Sequence, residues 1–85
     1  MNNISILSIK HFVAYNQVVE DYKTLIIYER ELSLCHNRKK KANYDRIRDE
    51  IIFLLQRIID NKNILKENTS ADQEYLITCT NVKLI

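Results

Sequence analysis

Neither glycine nor proline occurs anywhere in this chain of 85 residues. Glycine breaks regular backbone by its freedom and proline by its missing N–H and fixed φ, so an amphipathic helix once begun here meets neither of the usual stops. The apolar residues follow such a helix from Phe12 to Leu34. Phe12, Tyr15, Val19, Tyr22 and Ile26 fall on one line, with Ala14, Val18, Leu25 and Leu32 beside it. Ser8 is placed to cap the start. The reading is a helix over about 8–36, roughly 40 Å long at ~1.5 Å per residue.

A second helix over about 44–67 has a cleaner pattern. Tyr44, Ile47, Ile51, Leu54, Ile58 and Leu65 keep the alternating three-four spacing of a coiled-coil strand, interrupted at Asn61. Ile52, Leu55 and Ile59 widen this seam to an arc of roughly 160°, against the ~100° that a surface helix ordinarily buries. One neighbouring helix does not cover such an arc, and the first helix is similarly broad. The expected fold is therefore mainly α: a long antiparallel helical hairpin that dimerises into a four-helix, coiled-coil-like bundle.

Between the helices, residues 37–43 offer almost nothing apolar at seam positions. Asn37 suits a left-handed helix end, Asn43 suits a cap, and the cations of 38–41 suit the negative end of the first helix. These features favour a basic turn over the alternative of one continuous helix of about 55 to 60 residues. The ends admit two readings. Ile4 to Ile9 fits a short strand or a first helical turn. In the segment 70–85, Ser70 with Gln73 fits a capping box opening a third short helix, while Leu76 to Thr80 is rich in strand formers. Strand-helix-helix-strand is thus the minor alternative, within a single small domain spanning 1–85.

Composition bounds the function. A formal charge of +2 is too small for the whole surface to act as a nucleic-acid glove, so any basic role is local. No phosphate-cradling glycine loop, GxSxG, HExxH or paired CxxC occurs, and the expectation is a chain without enzymatic activity, cofactor or metal. His11 and His36 sit at opposite ends of the first helix, and adjacent Cys35 and His36 point about 100° apart, a poor nucleophile-base couple. Isolated Cys35 and Cys79 read as reduced thiols, which suits the cytoplasm. No export signal is apparent, and the longest apolar run, Ile51 to Leu55, is far short of the ~20 residues that span a bilayer, so no membrane partner is expected. Heavy use of Ile, Asn and Lys is typical of AT-rich genomes and hints at a low-GC bacterium, its phage or a virus.

Two functional readings result. The first is a small cytoplasmic interaction protein, a homodimer acting stoichiometrically on a larger protein partner as an inhibitor, antitoxin-like factor or adaptor. Its candidate interface residues are Tyr15, Val19, Tyr22 and Ile26 on the first helix and Ile51, Ile52, Phe53, Leu55 and Ile59 on the second. The alternative is an RNA- or DNA-associated accessory protein. Arg38, Lys39, Lys40 and Lys41, joined by Arg46 and Arg48, would contact phosphates, with Tyr44 stacking on an exposed base.

Overall fold

The computed structural model describes residues 6–37 and 40–81, with side chains described over 9–35 and 40–81. It holds three helices, α1 (Ile6–Asn37), α2 (Lys41–Ile64) and α3 (Ser70–Asn81), and no strand among the described residues. α2 runs back along α1, since Cys35 lies near Ile47 at one end while Asp21 bonds Arg57 further along. α3 reverses again, with Asp72 beside Lys62 and Cys79 beside Arg48. The molecule is a rod of 59 × 20 × 14 Å with a radius of gyration of 15.7 Å, against about 12 Å for a compact chain of this length. A rod has much surface for its volume, which makes the placing of its apolar residues decisive.

The side of α1 that meets α2 is not the line running from Phe12 to Ile26. Ala14, Val18, Asp21 and Leu25 are buried, and Tyr28, Leu32 and Cys35 continue the stripe half-buried against the core. This inner seam has the same alternating four-three spacing, offset by about a third of a turn. The two lines are similarly apolar, and polar pairing distinguishes them. Turned inward, the inner seam brings Asp21 onto Arg57; the other line would carry that carboxylate away from its partner and leave Leu25 and Leu32 in water.

The broad arc of α2 needs no second molecule. Ile51, Leu55 and Ile58 are fully buried, with Tyr44, Ile47 and Leu54 nearly so. α1 covers one flank of the arc. α3 covers the other with Cys79, Tyr75 and Leu76, which pack on the same cluster as Ile52. The neighbour missing from a two-helix picture is thus supplied by the chain's own C-terminal segment. That segment is helical in spite of its strand formers. Thr78 and Thr80 donate their hydroxyls to the carbonyls of Glu74 and Leu76 one turn back (3.0 and 2.8 Å), and helical spacing gathers Asp72, Tyr75, Leu76 and Cys79 on one face. The strand alternative is overturned for 70–81 and for 6–9; residues 1–5 and 82–85 lie outside the described residues.

Helix ends depart from expectation by a few residues, for local reasons. α1 already includes Ser8, so that residue does not cap it. α2 begins at Lys41, placing Asn43 inside the helix. Lys40 precedes it with no side-chain cap bond, and its carbonyl accepts the first helical bond from Tyr44 N at 2.9 Å. The turn is therefore shorter than 37–43. α2 stops at Ile64 rather than 67 because Lys66 takes a left-handed conformation, φ 60°. Glu67 N then donates to Lys62 O (2.9 Å) and Lys66 N to Asn63 O (3.1 Å), the paired bonds of a Schellman ending with lysine where glycine is usual. α3 is capped one residue before Ser70. Gln73 N donates to Thr69 O (2.9 Å), its side chain reaches Thr69 Oγ1 (2.6 Å), and Asn68 Oδ1 accepts from Ser70 N (2.8 Å).

Candidate docking surface

Nine large apolar side chains are about half or more exposed among the described residues, and seven of them belong to α1: Ile9, Phe12, Val13, Tyr15, Ile26, Ile27 and Leu34. Their clustering follows from the fold. α1 spends its inner seam on α2, α3 packs its backbone against α2 rather than α1, and the outer face of α1 keeps Phe12, Tyr15 and Ile26 of its second line together with Ile9, Val13, Ile27 and Leu34, which belong to neither line. Phe12 is 68% exposed, Tyr15 56% and Ile26 58%. At about 100 Å² of exposed side chain each, the seven present roughly 700 Å² in total along one helix, divided near its middle by the exposed charges Glu20 and Lys23. The outer face of α2, by contrast, is polar. Phe53 stands there alone, its ring 5.2 Å from the guanidinium of Arg57, and Ile77 is solitary on α3.

The interface candidates therefore separate. Tyr15 and Ile26 are on the exposed face, and Val19 lies half-buried between them. Ile51 and Leu55 are 0% exposed inside the chain's own core and have no surface to offer a partner. Ile52 and Ile59 are half-buried beside them. Tyr22 belongs to an internal contact: its hydroxyl donates to Asp72 Oδ1 at 2.5 Å, and Lys62 Nζ sits 5.1 Å from its ring centre.

The basic candidates separate too. Lys40, Lys41 and Arg46 are exposed at one end of the rod, while Arg38 and Lys39 lie outside the described residues. Lys41 Nζ holds Asp45 Oδ2 at 2.7 Å, and this hydrogen bond draws the Asp45 carboxyl below its ordinary range. Arg48 is turned toward α3, half-buried within 3.9 Å of Asp45 and 3.6 Å of Asp49. Tyr44 is 4% exposed, committed to the core because it opens the hydrophobic seam of α2, and it presents no face for a base to stack on.

Polar residues that the apolar pattern did not single out hold the three helices in register. Asp21 is 2% exposed and accepts from Arg57 Nε at 2.8 Å and its Nη2 at 2.7 Å, with Gln17 Nε2 at 2.9 Å. The hydrogen bond to Asp21 raises the Arg57 pKa against the desolvation that opposes it. Asp72 is buried between Tyr22 and Lys62, whose Nζ donates to Oδ2 at 2.8 Å. Burial and the Asp72 bond raise the Tyr22 pKa; for Lys62, desolvation lowers it but the bonds to Asp72 and Tyr22 prevail and raise it. Tyr75 donates to Glu29 across the α1/α3 gap, and burial followed by that bond pushes its phenol far up. Asp21 was findable in principle, since it sits at seam spacing between Val18 and Leu25. Asp72, Lys62 and Glu29 carry no such signal.

Both cysteines are free, with Cys79 buried and its thiol pKa raised by that burial. Among the described residues no cluster of three or more metal-ligating side chains occurs, and no helix is long and apolar enough to cross a membrane. No protein-family model, curated protein or solved structure matches this chain.

Proposed function

We propose that this chain is a small non-enzymatic interaction protein that forms a homodimer and acts stoichiometrically on a larger protein partner, as an inhibitor, antitoxin-like factor or adaptor does. The observation that carries the reading is the outer face of α1. Seven half-exposed large apolar residues there lie on one helix, at spacings that suit reception of the same helix of a second copy, and the pair so formed is the unit that meets the larger partner. Association would take a large share of that roughly 700 Å² per copy out of water and, with its polar rim, approach the ~800 Å² per partner of a standard interface. The free thiols of Cys35 and Cys79 fit a reducing compartment such as the cytoplasm.

The test is purification of the full chain from its native cell, with and without nuclease, beside the variant Tyr15→Glu/Ile26→Glu. A protein recovered in constant ratio, resistant to nuclease and lost with the variant supports the reading. Recovery that needs nucleic acid, or that ignores the variant, refutes it. A second reading is favoured by the exposure of Lys40, Lys41 and Arg46 together at one end of the rod. If that end contacts RNA or DNA, replacing Arg38, Lys39, Lys40 and Lys41 with Ser flattens the salt dependence of binding.

A further inference from the structure

The exposed face of α1 is not uniformly apolar. Ile9, Phe12 and Val13 form one patch near its start, Ile26, Ile27 and Leu34 form another toward its end, and Glu20 with Lys23 forms a charged waist between them. In the single chain these two charges pair with each other at 3.6 Å, both about two-thirds exposed.

We infer that the outer face of α1 receives the same face of a second copy in antiparallel orientation, with the two-fold axis passing between the two helices at the level midway between residues 21 and 22. This deepens the dimer reading above and rests on it. Three observations converge on the arrangement. The first is charge. A parallel pair would set Glu20 against Glu20 and Lys23 against Lys23 of the second copy, whereas the antiparallel pair sets each Glu20 against a Lys23. The second is length. The axis that pairs Glu20 with Lys23 lies midway between residues 21 and 22, and the midpoint of α1 (Ile6–Asn37) is the same point. One register thus satisfies the charges and overlaps the helices over their full length. The third is packing. In this register Phe12 enters the hole formed by Ile27, Arg30, Glu31 and Leu34 of the second copy, the four-residue spacing into which a coiled-coil knob fits. Each patch then covers the opposite patch of the other molecule. The arrangement also sends the two basic turns to opposite poles, about 50 Å apart along α1, so they do not pool on one run of phosphates.

The experiment combines sedimentation with photocrosslinking on the full chain. A photoreactive benzoylphenylalanine replaces Phe12, and labelled and unlabelled chains are mixed so that only crosslinks between copies are scored. A dimer whose crosslinks fall within residues 27–34 supports the inference. A dimer crosslinked within 9–16, or outside α1, overturns this orientation while leaving the dimer standing. A monomer at all concentrations, with helical content intact, overturns both. The variant E20K gives an independent reading that does not alter the apolar patches. Antiparallel pairing then sets lysine against Lys23 twice and weakens the dimer by roughly tenfold, with K23E added in the same chain restoring it. An unchanged dissociation constant for E20K overturns the antiparallel register.

Discussion

The pair between Asp21 and Arg57 predicts an asymmetry that a simple count of ion pairs would miss. Its two bonds are short, at 2.8 and 2.7 Å, but the partners differ in exposure: the Asp21 side chain is 2% exposed and that of Arg57 41%. Removing the cation strands a carboxylate in the α1/α2 seam with only Gln17 as a donor. Breaking a buried pair in this way costs about 3 to 5 kcal/mol, and the remaining bond places Arg57→Met near 3 kcal/mol. Removing the anion instead leaves a guanidinium already facing water. Asp21→Leu also completes the apolar seam between Val18 and Leu25, so its net effect should stay within about 1 kcal/mol of zero. The double variant Asp21→Leu/Arg57→Met should then recover most of what Arg57→Met loses. Urea unfolding followed by far-ultraviolet circular dichroism, at one fixed protein concentration, measures all four corners of the cycle. An Asp21→Leu variant as damaged as Arg57→Met, or a double variant worse than either, would refute the argument that burial of the carboxylate sets the cost.

Three further outcomes are expected. Lys66→Gly should raise stability by about 1 kcal/mol in the same assay, because the left-handed φ of 60° is unfavourable for lysine and free for glycine. Stability should begin to fall as pH rises above about 9, through the buried Cys79 thiol raised from 9.0, and fall more steeply above about 10. The folded-state pKa values of Tyr22 and Tyr75 are both raised from 10.0, so their contribution is complete below that value and is lost as pH climbs through the raised ones. The slope is at most about 1.4 kcal/mol per pH unit for each tyrosine, and Tyr22→Phe/Tyr75→Phe should flatten it in alkaline unfolding titrations. Asp72→Ala removes the carboxylate that joins Tyr22 and Lys62 to α3. It should lower stability by about 2 to 3 kcal/mol and speed hydrogen exchange in α3 more than in the middle of α2.

Helical character was legible in the sequence because it depends on local spacing. Tyr44, Ile47, Ile51, Leu54 and Ile58 repeat as a seam whichever partner they meet, and each of them is buried. The turn between α1 and α2 was legible for the same reason, as a gap in that repeat. Helix ends were less so. A sequence without glycine must end α2 on a residue that gives no special signal, and Lys66 is identified only by its backbone angle.

What covers each stripe was a tertiary decision. α1 carries two seams of similar quality, and periodicity does not rank them. Asp21 meeting Arg57, which turns the inner seam toward α2, and Tyr22 and Glu29 reaching α3 from beside that seam depend on residues 36, 50 and 46 positions away in the chain, and together they set which side of α1 is left outside. The same holds for α3, whose strand formers follow the helix because Tyr75, Leu76 and Cys79 find the open flank of α2. Sequence by itself determined that this chain would be helical and over-supplied with apolar surface, since both follow from local spacing. Only the assembled structure decided that the surplus lies on the outside of α1, since that depends on which polar groups find one another across the fold.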